Sequence, residues 1–309
     1  MDKQLVTDRA AAQPSMREQP APQTRTWERL RRRLPLLSIS LILLVAAGIY
    51  LMPMYWMFTG AFKLQKGILQ VPPEWFPSPA SLGNWELLFS ARSITPWRWL
   101  ANSAIVSVGT MVLSVALSAL TGYVFGKKKF IGSRVLFFLI LATMMLPSQV
   151  TLVPLYLAVR KLGLYNTYQG MILPMIASPF GVFLMRQFMQ SIPDELLDAA
   201  RMDGASELGL FTRIVVPLAA PALAALGILT FFGAWNNFMW QLLMAKDTTM
   251  MTLPVGVSYI ALVPIGERAI VDIGLLMAGG TFGAIPMIIL FILFQRFFVR
   301  GIMLGAIKG

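Results

Sequence analysis

Six stretches of this chain, 36–59, 100–125, 135–159, 164–185, 218–245 and 273–294, each run past twenty residues without an Asp, Glu, Lys, Arg or His. About twenty apolar residues at about 1.5 Å rise per residue cross a hydrocarbon core of about 30 Å. Inside that core every backbone polar group has to be satisfied without water, which leaves helices as the economical solution. The pattern predicts an all-α membrane protein of six transmembrane helices. A content of 57% hydrophobic and 13% charged residues in 309 agrees with this and excludes an ordinary soluble core. Pro53, Pro147, Pro154, Pro174, Pro179 and Pro286 fall within these runs and mark kinks and hinges, tolerated where neighbouring helices re-satisfy the freed carbonyls.

The absence of cysteine and histidine removes disulfides, thiolate chemistry, the ordinary transition-metal ligand sets and a neutral-pH proton shuttle. No metal site is expected. The net charge of +12 does not indicate nucleic acid, because the basic residues sit in short clusters beside apolar runs, the distribution of a topology signal. Eighteen of the 26 Lys and Arg lie in 1–33, 127–134, 186–213 and the stretch after 294. The positive-inside rule then puts both termini and the 186–213 loop in the cytoplasm, with 60–99 and 246–272 on the opposite side. Residues 1–33, rich in Pro, Gln and Ala between eight basic residues, are expected to be a disordered basic tail, and the first span an uncleaved anchor. The expected organisation is the tail 1–33, a first helix and outer loop 34–99, a five-helix core 100–299 that contains the loop 192–217, and a cytoplasmic C-terminal tail 300–309.

The loop between the fourth and fifth runs is unlike its surroundings: five acidic residues against three basic over 186–213. Asp194, Glu195 and Asp198 begin a helix after Pro193, where negative charge suits the positive end of the helix dipole. Leu196, Leu197, Ala199 and Ala200 give it an apolar side. Gly204 is free to take positive φ, Asp203 or Ser206 can cap a second short helix, and Pro217 and Pro221 mark the return to the membrane. Helices lying in lipid headgroups carry Lys and Arg, so this acidic, amphipathic pair suits a protein partner better than a lipid surface.

The run Asp198-Ala199-Ala200, Asp203-Gly204-Ala205, Phe211, Ile214, Pro217 and Pro221 resembles the EAA loop of binding-protein-dependent ABC importer permeases, with Asp198 where that family has Glu and Val216 where it has Leu. The tail from Arg300-Gly301-Ile302 to Gly309 resembles that of the second permease subunit of maltose-type sugar importers, as do Asn84-Trp85, Asn102-Ser103 and Trp235-Asn236 with Phe238. The resemblance implies the type I importer permease fold. It also implies a coupling helix docked on an ATP-hydrolysing subunit through Asp194, Glu195, Asp198, Ala199, Ala200, Arg201, Asp203, Gly204, Ala205 and Phe211. The partners it implies are a second homologous permease, two nucleotide-binding ATPase subunits and an extracytoplasmic solute-binding protein, beside membrane lipid. The location it implies is the bacterial cytoplasmic membrane. The solute implied is a di- or oligosaccharide or a related compound.

The chain has no G-x-x-x-x-G-K-[ST] sequence, so ATP and Mg are expected on partner subunits, with no cofactor bound here and no catalytic residue. The rival reading is an ion-coupled carrier of a neutral solute. Proton-coupled carriers need ionisable groups within their spans, and these spans have none. Sodium coupling through carbonyls and hydroxyls passes that test. Gln149, Trp235, Asn236, Asn237 and Gln241 are the candidates for a solute path, amides and indole rings suiting a sugar, although such amides also bond packed membrane helices together. The resemblance assigns Pro254, Ser258 and Tyr259 to a loop that reaches the binding protein; the plain alternative is a covering loop packed on the bundle.

Overall fold

The computed structural model describes residues 23–262 and 272–306, with side chains from 38 to 262 and from 272 to 295. Every regular element among them is helical. Helix α1 (Gln23–Gly60) contains the 23-residue apolar stretch Ser38–Gly60, ~34 Å long at the α-helical rise. The expected disordered tail is corrected in part. Residues 23–33 are helical, because Trp27 to Leu34 contain no glycine or proline and are mostly good helix formers; residues 1–22 lie outside the described part. The residues up to Tyr55 and the body from Trp56 onward form two separate units.

Within the body, α2 (Gln65–Leu69) and α3 (Gly83–Ser90) belong to the long loop after α1. Helix α4 (Pro96–Lys127) is the second unbroken span and packs most extensively against α8 (Pro179–Gln190), then α12 (Ala220–Trp235). Gly122 and Gly126, one turn apart, explain the first contact. A Cβ on Gly122 would stand 2.5 Å from Met185 Cβ and 2.9 Å from the Arg186 backbone nitrogen, so the two backbones meet where no side chain fits.

Three of the six expected spans are bent. The third divides into α5 (Ser133–Thr143) and α6 (Ser148–Lys161), which meet at 100° across Pro147. In the fourth, α7 (Tyr168–Ile172) and a tight turn over Leu173–Met175 meet α8 at 49°, immediately before Pro179. The fifth is preceded by α9 (Asp194–Met202), α10 (Glu207–Leu210), a π-turn over Phe211–Val215 and α11 (Val216–Leu218); the Glu207–Leu218 segment meets α12 at 77°. Proline at each break removes a backbone donor and ends the ladder of hydrogen bonds, while the apolar composition continues unchanged. The expected fifth run also does not stay helical to residue 245. Helix α12 stops at Trp235, and α13 (Met239–Met244) starts where Asn237 Oδ1 accepts from Trp240 N at 3.3 Å.

Helix α14 (Leu253–Ile260) precedes α15 (Ile273–Ala306), the third unbroken span. Helix α15 continues without a break past the expected boundary at 300 to Ala306; 307–309 lie outside the described residues, as do 263–271 with Glu267. At the Pro96 end of α4, Trp99, Trp235, Leu253, Ile260, Leu275 and Phe282 form one buried cluster. The residues that resemble the sugar subfamily brace this end. Asn84 donates to the carbonyls of Ala61 (3.1 Å) and Lys63 (2.9 Å), Asn102 donates to those of Thr249 and Met251 (2.8 Å each), and Ser103 Oγ accepts from Leu253 N (2.7 Å).

Candidate coupling loop and transmembrane cavity

The loop at the Lys127 end of α4 is built by two caps. Helix α9 ends in a left-handed Gly204 (φ 82°), with Gly204 N donating to Arg201 O at 3.0 Å and Ala205 N to Ala200 O at 3.0 Å. This pair of bonds is the Schellman arrangement, and it accounts for Asp-Gly-Ala: the glycine takes the positive φ and the next residue closes the longer bond. Ser206 then caps α10 by accepting from Gly209 N at 3.2 Å. The π-turn that follows widens the helix over Phe211–Val215, a form frequent at functional sites.

Two kinds of contact fix the loop to the body. Leu197, Leu210 and Val215 are fully buried, and Leu197 and Val215 join Tyr123, Met185, Met189 and Ala222 in one cluster. Around that cluster runs a chain of charges. The nearly buried Lys127 ammonium donates to Asp194 at 2.7 Å and to the Ile192 carbonyl. Glu207 accepts from Lys128 at 2.5 Å, from the Tyr123 hydroxyl at 3.0 Å and from Arg201 Nε at 3.4 Å, and Arg201 pairs with Asp198 at 2.6 Å. Lys127 holds the Asp194 carboxyl below its ordinary pKa, and Lys128 does the same for Glu207. The Arg201 guanidinium is raised by its bond to Asp198.

These contacts sort the sequence-derived docking residues by face. Leu196 and Ala199 are exposed while Leu197 is buried, so the apolar side foreseen for this helix divides in two. Asp194, Glu195, Asp198, Arg201, Asp203, Gly204 and Ala205 are exposed, Ala200 is half-buried, and Phe211 turns inward, with its ring 5.4 Å from that of Tyr123. Met202 (88% exposed) and Leu208 (69%) stand clear of the body beside the acidic residues. Sequence reasoning had not marked Met202 for docking; an apolar residue at the end of an acidic helix was the available signal. The outward surface is an acidic rim around protruding apolar side chains, on a rigid mount.

Residues 114–304 match the family described as the binding-protein-dependent transport system inner membrane component. The chain belongs to that family. Among its relatives, the arabinooligosaccharides transport system permease protein AraQ of Bacillus subtilis is 36% identical over 275 residues, which cover 88% of this chain and 96% of that protein. The sn-glycerol-3-phosphate transport system permease protein UgpE of Salmonella typhi is 32% identical over 276 residues, covering 88% and 97%. A crystal structure of a bacterial ABC transporter involved in the import of the acidic polysaccharide alginate contains a chain of the same fold, with TM-score 0.76, 24% identity and coverage of 86% of this chain and 97% of that one. Membership sets aside the ion-coupled carrier.

The permease brings only part of the expected solute path together. Asn237 and Gln241 line a cavity of about 240 Å³ beside Thr110, Ser114, Ser178 and Thr230. Gln149 is exposed on α6, Asn236 is exposed and donates to Phe232 O at 2.9 Å, and Trp235 is buried in the cluster at the other end; none of the three lines this cavity. Both asparagines lie beyond the end of α12, where Asn236 turns back to the Phe232 carbonyl and Asn237 Oδ1 accepts from Trp240 N, so the two part company. The serines and threonines of α4 were missed because hydroxyl residues are ordinary in membrane helices. Helix α14 packs its Leu253, Val255, Gly256 and Ile260 inward, leaving Pro254, Ser258 and Tyr259 half-buried.

Proposed function

We propose that this permease is one of two homologous membrane subunits of an ATP-driven carbohydrate importer in a bacterial cytoplasmic membrane. The loop over 194–211 docks on a nucleotide-binding subunit that carries ATP and Mg, and a solute-binding protein delivers the sugar to the opposite face, where Pro254, Ser258 and Tyr259 are candidate contacts. A di- or oligosaccharide is the solute class favoured by the arabinooligosaccharide relative.

The observation that carries the reading is the mounting of the loop: an exposed acidic and apolar surface joined by buried leucines and ion pairs to the end of α4, the helix most extensively packed in the body. A push on such a surface moves α9, α10 and α4 together. Closure of the ATPase dimer would then rock the spans outward, and hydrolysis would return them, with the prolines at the three bends as hinges. Both termini and the loop lie in the cytoplasm in this arrangement, as the distribution of basic residues favours.

Affinity purification of the chain from its native membrane in mild detergent tests the proposal. Recovery of a second multi-span protein together with a P-loop ATPase is the expected result. Recovery of this chain alone, with no ATPase activity, overturns it. The double variant Met202→Glu, Leu208→Glu should release the ATPase from an otherwise membrane-inserted chain.

A further inference from the structure

Helix α1 is longer than the bilayer it crosses. Its 38 residues extend ~57 Å at the α-helical rise against a hydrocarbon core of about 30 Å, and the apolar stretch Ser38–Gly60 already fills that core. Residues 23–33 are therefore a helical extension outside it. They carry a feature of the sequence that the importer mechanism does not use: the arginines Arg25, Arg29, Arg31, Arg32 and Arg33, against a single acidic residue, Glu28.

The order of these residues follows the helical repeat. At 3.6 residues per turn Arg25, Arg29, Arg32 and Arg33 share an arc of about 100°, and Trp27, Leu30 and Leu34 share one of about 60° on the far side. Glu28 and Arg31 lie between the two. A topology signal depends only on how many basic residues flank the span. It does not require them on one face, nor a tryptophan and two leucines on the other. A basic face set against a face of Trp and Leu is the pattern of a helix in the headgroup plane, its apolar side at the acyl boundary and its cations among anionic phosphates.

Two further points favour lipid over any other polyanion. The extension is continuous with a span, so the covalent link holds it at the leaflet, and every competitor has to reach it from solution. The apolar face is also continuous with the span, since Leu34 is followed one turn later by Leu37 and then by Ser38. Arg32 and Arg33 precede Ser38 by less than about 10 Å of helix, which is headgroup depth, whereas Arg25 and Arg29 stand about 20 and 14 Å before it. Pro35 supplies no N–H to the Arg31 carbonyl, so the helix bends most easily at the junction, and a bend there brings Arg25 and Arg29 down to the same phosphates.

We propose that residues 23–37 of α1 are a binding surface for anionic phospholipid headgroups, with Arg25, Arg29, Arg32 and Arg33 as its basic face and Trp27, Leu30 and Leu34 as its apolar face. The binding is independent of the importer reading; only the assignment to the cytoplasmic leaflet rests on it.

The test uses the full chain in lipid nanodiscs, whose two faces are both open to solution, so that its orientation does not enter. The sequence has no cysteine, and Leu30→Cys introduces its only thiol. Alkylation by an uncharged polyethylene-glycol maleimide should be about five-fold or more slower in discs of phosphatidylcholine with phosphatidylglycerol than in discs of phosphatidylcholine alone, and about 0.5 M salt should remove most of the difference. Leu208→Cys on the coupling loop should label alike in both. Two variants of the Leu30→Cys chain separate lipid binding from a topology signal. Arg25→Gln, Arg29→Gln, Arg32→Gln, Arg33→Gln removes the basic face; Trp27→Gln, Leu34→Gln keeps every charge and removes the apolar one. Both should abolish the difference between the lipids. Equal rates in the two lipids for Leu30→Cys alone overturn the proposal. So does undiminished protection in the Trp27→Gln, Leu34→Gln variant, which would leave the arginines as a charge signal and nothing more. Slowing that needs the ATPase subunit, and occurs in phosphatidylcholine alone, would assign the helix to a protein partner instead.

Discussion

Gly204 separates conformation from packing in the coupling loop. A Cβ at this position would meet nothing within 4 Å, so Gly204→Ala changes only the ease of holding φ at 82°. An L-residue in that region costs about 1–2 kcal/mol. Amide exchange over 200–205 should accelerate five- to thirty-fold in the alanine variant, with exchange in α4 unchanged. Leu197 tests the opposite term. It is 1% exposed beneath the helix, and Leu197→Ala should lower the stability of the loop by about 2–5 kcal/mol, read as loss of protection across 194–210. The carboxylates set a pH dependence. Asp194 and Glu207 both have folded pKa values below their ordinary ones, so their contribution is fully present above the ordinary carboxylate range and is lost as pH falls through the depressed values. Loop protection, corrected for intrinsic exchange, should be flat from about pH 5 to 8 and fall below about pH 4. A midpoint near neutrality would contradict the assignment, since the chain has no histidine to supply one.

Helix α4 depends on its contact with α8 in a way that a single side chain can interrupt. Gly122→Leu would place its first carbon 2.5 Å from Met185 Cβ and force the helices apart, and with them the Lys127 and Lys128 anchors of the loop. The expected outcome is a lower unfolding temperature of the purified chain and weaker retention of the ATPase, whereas Gly233→Ala on α12, with nothing within 4 Å, should change neither. The elements themselves were unevenly legible. The unbroken spans in α1, α4 and α15 follow from apolar runs that contain enough residues and few breakers. The bends at Pro147, Pro179 and the start of α12 were foreseeable as places but not as angles, because a 100° turn and a mild kink have the same composition. The coupling loop was legible in Asp203-Gly204-Ala205 because cap geometry demands particular residues. The cavity was not. Its α4 side consists of Ser and Thr, and whether these residues bond to a neighbour, as Ser103 does, or are buried without a partner among the described residues, as Ser114 is, is decided by what packs opposite them.

The direction in which the whole molecule sits in its membrane gives these parts their meaning, because the proposed docking of 194–211 on an ATPase requires that loop to face ATP. The structure places the coupling loop at the Lys127 end of α4 and the clamp formed by Trp99, Asn102 and Ser103 with 248–253 at the other. Basic residues concentrate beside the coupling loop, at Lys127, Lys128, Lys129 and Arg134, and the side with the greater share of Lys and Arg is retained in the cytoplasm. Absence of native cysteine makes the orientation directly measurable. Val71 is 93% exposed in the long loop after α1, and Leu208 is 69% exposed on the coupling loop. In spheroplasts, a membrane-impermeant maleimide should label Val71→Cys at once and Leu208→Cys only after permeabilisation. Adding the ATPase subunit to the permeabilised membrane should then slow labelling of Leu208→Cys, while Val71→Cys is unaffected. The reverse pattern of labelling would put the coupling loop outside the cell, where ATP hydrolysis cannot drive it. Correct orientation without protection would leave the topology standing and remove Leu208 from the docking surface.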